Sequence, residues 1–286
     1  MVQMQIAALR SLLILLGYCW ALYSTPLLAQ RMNDYLGDER VLYAETKQVN
    51  QFFRRFNSEE APDGTRYFSR DSMYHDQALR EEYLNMLFDQ QNGRMTARLK
   101  RNFIDQMMDP HHPVYLDFHG GDWFAEVAVT FTYQGRETDM ILFLQLEEEE
   151  IGSKWVFTNV HFEPFHRLFK SGEGAEVLPR FIHPLSHELD FMNLIKVFRN
   201  GERLEQYANK SYEPDYLTLF LYEMKRGTLR FQTVNKVKFH FFQVEGWYFE
   251  LSDIQRESGN RGWLITQLSE LPANNKDLLL KYIYRR

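Results

Sequence analysis

Trp123 to Tyr133 reads WFAEVAVTFTY, and its alternation decides the fold. Trp123, Ala125, Val127, Val129, Phe131 and Tyr133 fall on one face of an extended chain, with Phe124, Glu126, Ala128, Thr130 and Thr132 on the other. Successive side chains of a strand point to opposite sides, so a period of two marks a β-strand. Working downstream, Gln134-Gly135 supplies a turn, Met140 to Leu146 a second strand, Ile151-Gly152-Ser153 another turn and Trp155 to Phe162 a third strand. Strands joined by such short turns predict an antiparallel meander. Working upstream past Gly120-Gly121, Val114, Leu116 and Phe118 alternate with Tyr115, Asp117 and His119, which predicts one more strand.

Ahead of the strands the period is that of a helix. From Val41, residues Leu42, Val49, Phe52, Phe53 and Phe56 recur at helix-face spacing. A polar stretch with Pro62 and Gly64 interrupts this pattern. Further helices are predicted over Gln77 to Gln90 and Thr96 to Met108, the latter ended by Asp109-Pro110 because proline disfavours helix in the residue before it.

The plan then repeats. Residues 170–180 (KSGEGAEVLPR) offer little to bury and read as a linker. Phe191, Leu194, Ile195 and Phe198 mark a helix, Leu204 to Ala208 and Tyr216 to Lys225 two more. Leu229 to Thr233, Val237 to Val244, Trp247 to Ile254 and Trp263 to Leu268 read as strands, with turns at Glu245-Gly246 and Ser258-Gly259-Asn260. Trp155-Val156-Phe157-Thr158 and Trp263-Leu264-Ile265-Thr266 stand 108 residues apart, each just after a glycine-containing turn. The expected class is α+β, as two tandem domains over 30–169 and 181–286, each with helices followed by a curled antiparallel sheet. One mixed domain with a continuous sheet is the alternative.

The N-terminus carries the three parts of an export signal. One positive charge, Arg10, precedes an apolar run from Ser11 to Tyr23, and Ala29 follows as a small residue at the cleavage edge. The run is shorter than the ~20 residues that span a bilayer core. The expectation is a cleaved signal peptide over 1–29 and a soluble mature protein, periplasmic or secreted, with no transmembrane anchor after cleavage. Tyr18 before Cys19 lacks the small residue of a lipoprotein signal. Cys19 is the one cysteine, so the mature chain has no disulfide, thiolate metal site or cysteine nucleophile. It would hold 32 Lys+Arg against 39 Asp+Glu, a net charge of −7. That argues against broad attraction to nucleic acid or anionic lipid. Asn209-Lys210-Ser211 matches a glycosylation sequon that matters in a eukaryotic secretory pathway alone.

The resemblance that fits this order is to the nuclear-transport-factor-2-like superfamily, on Gly152-Ser153-Lys154-Trp155-Val156-Phe157 and Gly259-Asn260-Arg261-Gly262-Trp263-Leu264-Ile265. It covers most of residues 40–165 and 185–271. The resemblance implies cones whose sheets wrap around helices. Some members are isomerases or dehydratases using pocket Asp, His or Tyr; others are non-catalytic binding or assembly domains.

Candidate chemistry is sparse. Tyr115, Asp117 and His119 share one strand face and could exchange protons with a ligand in a closed pocket. The same alternation also describes the solvent face of a half-buried strand. His161, His166, His183 and His187 lie near the domain junction, but without a recognised zinc spacing. The aromatic-rich segments at Phe162 to Phe165 and Phe181 to Leu185 are expected to pack the halves together. Glu147 to Glu150 reads as a solvated hairpin tip rather than a calcium site. No phosphate loop, nucleophile elbow or metalloprotease motif is present in the mature sequence, so no cofactor and no metal are expected. The segment from Asp277 to Arg286 is either a docking helix or an exposed apolar tail. The aromatic content of 15% favours a protein partner in the cell envelope; a small apolar ligand held in one half is the alternative.

Overall fold

A computed structural model describes residues 48–150, 152–169, 182–192, 194–199 and 204–284. The expected signal peptide and linker lie outside these residues. The described chain is α+β and divides into two compact units.

The first unit comprises 48–116 with 253–266. Helices α1 (Val49–Phe56), α2 (Gln77–Met86) and α3 (Ala97–Met107) form where the apolar spacing places them. The Asp76 carboxylate caps α2 by accepting the Leu79 N–H at 2.9 Å, and the Thr96 hydroxyl caps α3 by accepting the Leu99 N–H at 3.2 Å. Phe52 and Phe56 of α1 are fully buried with Phe103 of α3, which meets Phe56 at 6.2 Å and Phe88 at 6.0 Å, both edge-on. Leu87 and Asp89 bond Ile265 through the backbone, and the Asn260 amide donates to the Met86 carbonyl at 2.8 Å and to that of Phe88. The predicted turn at 258–260 thus closes on the end of α2.

The second unit comprises 117–252 with 267–284. Its strands are β1 (Trp123–Tyr133), β2 (Arg136–Glu149), β3 (Gly152–His161), β4 (Leu229–Phe241) and β5 (Trp247–Ile254); β6 (Gly262–Glu270) completes a six-stranded sheet of order β3-β2-β1-β4-β5-β6. The expectation of a separate sheet in each half is corrected by this order. β1 pairs antiparallel with β4 from Trp123↔Phe241 to Tyr133↔Leu229, so strands of both halves share one ladder.

Leu229 to Thr233 and Val237 to Val244 were expected as two strands but form the single strand β4, which carries two extra residues opposite β1. Asn235 and Gln232 are skipped by the pairing register. Their side-chain amides donate to the hydroxyls of Thr130 at 2.8 Å and Thr132 at 2.9 Å. The bulges therefore stay tied to the ladder they interrupt.

One sheet face carries Val129, Phe131, Met140, Leu142, Val160 and Leu229, buried with Phe162, with Phe165 of the following helix α4 (Glu163–Phe169) and with Phe220 of α6 (Tyr216–Arg226). Between these helices the described chain forms 3₁₀ turns at Pro184–Leu189 and Leu204–Tyr207 and a short α5 (Leu194–Arg199). On the other face, Phe124, Phe143, Phe242 and Tyr248 pack with Ile283 of the terminal helix α7 (Lys276–Ile283) and with Tyr284. The terminal segment is a helix through Ile283 that packs on the sheet.

Val114 to His119 is not a strand. Its residues belong to no strand, and Phe118 and His119 form a bend. The next section gives their partners.

Candidate functional site

The first unit holds an ordered loop of 20 residues, 57–76, between α1 and α2. A single β-bridge, Glu60↔Arg66, is its only regular pairing among the described residues, and loops of that length are uncommon outside functional or linker segments. Its inner end is fixed by Glu60, fully buried, whose carboxylate accepts from Arg54 Nε at 2.7 Å, Arg55 Nε at 3.3 Å and Gln51 Nε2 at 2.6 Å. Its two ends meet under backbone strain. Ser58 and His75 both have positive φ, 57° and 59°, and the His75 N–H donates to the Ser58 carbonyl at 3.0 Å. Non-glycine residues held this way mark places where surrounding contacts over-determine the backbone.

These contacts are a column of stacked side chains. His75 lies between Tyr74, with ring centroids 3.8 Å apart, and Tyr115, 4.0 Å away and nearly parallel. The Arg80 guanidinium sits over the Tyr115 ring, 4.2 Å from its centre. Arg80 is buried and donates to the carbonyls of Phe56 at 3.0 Å, Met107 at 3.0 Å and Val114. Burial pushes the Arg80 pKa down, opposed by the Tyr115 phenol. Glu59 Oε1 accepts from His75 Nε2 at 3.1 Å, Tyr74 Oη at 3.3 Å and Asn57 Nδ2 at 3.3 Å. The Tyr74 phenol is raised above its ordinary pKa, first by burial and then by the Glu59 charge.

With the proton of the imidazole on Nε2, directed at Glu59, Nδ1 presents a lone pair. This is the orientation a carboxylate imposes on a general base. Histidine and glutamate side chains are each about one quarter to one fifth exposed, at 25% and 20%. The set can accept a proton or a hydrogen bond from a bound molecule.

The three sequence candidates are not brought together. Tyr115 joins the His75 column. Asp117 Oδ1 accepts the His119 N–H at 2.9 Å, and the Asp117 N–H donates to Gln243 Oε1 at 3.1 Å. The Gln243 amide also donates to the carbonyls of Asp117, Gly120 and Gly121, clamping this turn. His119 Nδ1 lies 2.9 Å from Ser153 Oγ and 3.7 Å from Glu148 Oε1. Serine and glutamate thus address the same ring nitrogen, whereas a relay needs them on opposite ones. All three candidates are exposed.

The rings of His161 and His166 lie 4.5 Å apart and tilted, while His183 accepts the Leu185 N–H and His187 bonds the Pro184 carbonyl. Among the described residues no three His, Cys, Asp or Glu side chains converge as a metal-ligand set. Glu147 to Glu149 end β2 at an exposed hairpin, with Glu149 paired to Lys154.

A second polar set, missed in the sequence, lies in the other unit. Buried His240 meets Glu126 Oε2 through Nε2 at 3.0 Å and Tyr248 Oη through Nδ1 at 2.8 Å. Lys238 pairs with Glu250 at 3.0 Å beside it. Burial and the charges of Glu250 and Glu126 push the Tyr248 pKa well up. Every member has a partner and Tyr248 is buried, so the set reads as a structural relay.

The second unit also exposes apolar surface. Leu185, Leu189, Phe191, Met192, Ile195 and Phe198 are each between 47% and 65% exposed. Among the described residues of 182–207, Ser186 alone is buried. Phe162 and Phe165 do pack into a core, but Leu185 does not, and Phe181 lies outside the described residues. No family model, curated protein or solved structure matches the chain.

Proposed function

We propose that this chain is an exported, non-enzymatic binding or assembly module that docks a protein partner in the cell envelope, periplasmic or secreted after cleavage near Ala29. The observation that carries this reading is the run of six exposed large apolar side chains from Leu185 to Phe198. Soluble monomers rarely leave such a run uncovered, and contiguous patches of this kind mark interaction sites. The export step is supported by the charge, apolar run and small-residue edge of residues 1–29. In a test, tagged mature chain is cross-linked in a native envelope and recovered. A discrete partner that is lost on Phe198→Glu supports the reading. Repeated recovery of none contradicts it.

The resemblance to the nuclear-transport-factor-2-like superfamily is proposed in the form of two copies merged in one sheet. The sheet order is symmetric about the β1/β4 seam. Ala128 pairs with Lys236, 108 positions on, the spacing that also separates Trp155 from Trp263. A two-fold relation between two copies would place its axis at that pair.

A second reading is favoured by the Glu59–His75 pair with Tyr115: a small-molecule binding site or an enzyme of isomerase or dehydratase type. Ligand-dependent rise of the unfolding temperature, lost in His75→Ala, would support it. It differs from the apolar-pocket form of the expectation in resting on a polar surface loop.

A further inference from the structure

β3 stands at the end of the sheet order, and its outer edge is open. Among the described residues, no backbone hydrogen bond reaches 152–160 from any element but β2. Residues 152–155 and Phe157 are exposed and Val156 is half-buried. An edge strand turns a row of unpaired N–H and C=O groups outward, a template for another strand, and proteins guard such edges with charges, proline or bulges. The stretch of β4 ahead of Lys238, where its pairing with β5 begins, is guarded in this way by Arg230, Lys236 and two bulges. β3 has Lys154 alone among Lys, Arg, Asp and Glu, and its bulge falls at Thr158, past the exposed stretch. In place of a guard it carries two aromatics, Trp155 at 40% exposed and Phe157 at 44%. They share one strand face. On that face Trp155 meets Trp123 at 5.5 Å and Phe239 at 5.9 Å, and Phe157 meets Phe220 at 5.8 Å.

We propose that this edge joins two copies of the chain, β3 of the second copy adding antiparallel to β3 of the first about a two-fold axis at Val156. The sequence around Val156 selects a second copy. Ser153-Lys154-Trp155-Val156-Phe157-Thr158-Asn159 has the same order of chemical classes from either end: two polar residues, an aromatic, valine, an aromatic, two polar residues. Antiparallel pairing at Val156 therefore sets each Trp155 against a Phe157 and each Lys154 against a Thr158. Cross-strand aromatic pairs on one face stabilise a sheet, and no like charges meet. An isologous contact requires such self-matching, whereas an unrelated strand does not. The bulge at Thr158 bounds the matched stretch at both ends. The acidic run fits the antiparallel sense as well. Glu147, Glu148 and Glu149 pair with residues 152–154, at one end of β3. The two-fold thus places the acidic runs of the two copies at opposite ends of the joint, where a parallel joint would lay them side by side. This joint is separate from the Leu185 to Phe198 surface, and neither depends on the other.

The test uses the chain from Gln30 onward, which has no native cysteine. A joint along one strand lies at the small end of interfaces, so sedimentation velocity is expected to find a reversible dimer with a Kd of about 1–100 µM. The two thiols of Val156→Cys meet on the axis, with Cα atoms about 5 Å apart, and diamide should link them as a disulfide dimer. Those of Ser153→Cys stand about 20 Å apart, six residues along the strand, and should stay unlinked. Trp155→Lys with Phe157→Lys opposes lysines at each pair and is expected to weaken the dimer at least about tenfold. Far-ultraviolet circular dichroism checks that this variant is folded, and the two cysteine variants test the joint without it. A chain monomeric up to about 1 mM overturns the proposal. Equal linking through positions 153 and 156 overturns it too, as does a folded lysine variant that dimerises like wild type. A photo-cross-linker at Val156 that captures another envelope protein and no second copy also overturns it.

Discussion

The side-chain amide of Asn57 satisfies both backbone groups of Leu116. Its Nδ2 donates to the Leu116 carbonyl at 2.8 Å, and the Leu116 N–H donates to its Oδ1 at 2.9 Å. An amide side chain thus plays the part of a neighbouring strand for one residue. Both residues are buried. Asn57→Ala removes the two partners together and leaves a buried donor and acceptor open, a loss of about 2–4 kcal/mol. Asn57→Asp keeps an acceptor for the N–H and loses the donor to the carbonyl. Urea unfolding should rank wild type above both variants; equal midpoints for wild type and Asn57→Ala contradict the pairing.

This relationship also explains a misreading. Val114 to His119 alternates as a strand does, because Leu116 must point inward and its neighbours outward. Alternation reports burial on one side; it does not report whether the other backbone belongs to a strand or to an asparagine. The β1 stretch was legible since its alternation runs for eleven residues and both faces are used. The joining of β1 to β4 was not, because pairing between segments some hundred residues apart leaves no local period. The candidate site was legible in Tyr115 alone. His75, bonded to Glu59, and Arg80 meet it from a loop and a helix whose residues have no motif spacing, and the left-handed φ of His75 follows from contacts, not from residue type.

Arg80 holds three carbonyls that belong to α1, to the end of α3 and to the segment before Leu116. Arg80→Met keeps the stem and removes every donor. The expected loss is about 3 kcal/mol, since the carbonyls of Phe56 and Val114 lose their guanidinium donor, while that of Met107 keeps the Val114 N–H at 3.2 Å. The His75–Tyr115 stack should loosen as well, which a near-ultraviolet dichroism signal would register as a loss of intensity.

Two buried tyrosines set the alkaline limit of stability. Burial raises both the Tyr83 phenol, which donates to the Glu60 carbonyl at 2.7 Å, and the Tyr248 phenol, which meets His240. A phenol with a folded pKa above its unfolded value of about 10 binds its proton more tightly when folded. The stability it contributes is fully present below pH ~10 and is lost as the pH rises through the range above it. Stability should therefore fall above pH ~10, with a shallower slope in Tyr83→Phe and Tyr248→Phe. At neutral pH, Tyr248→Phe should cost about 1–3 kcal/mol by leaving the buried His240 nitrogen unpaired. An unchanged alkaline slope in both variants would count against the buried-phenol account.

The terminal helix offers a contrast between adjacent residues. Ile283 is 7% exposed against Phe124 and its neighbours, whereas Tyr282 is 80% exposed. Ile283→Ala should cost about 2–4 kcal/mol, while Tyr282→Ala should stay within about 0.5 kcal/mol. Equal effects in thermal unfolding would mean that α7 does not dock on this face.

The central claim is that the surface from Leu185 to Phe198 is covered when the protein works. Photo-cross-linking in the intact envelope, with the reactive side chain at Phe198 and a control at exposed Gln232, tests it most directly. The account predicts a discrete covalent adduct from position 198 and none from position 232. No adduct at 198, or the same diffuse labelling at both positions, would contradict it.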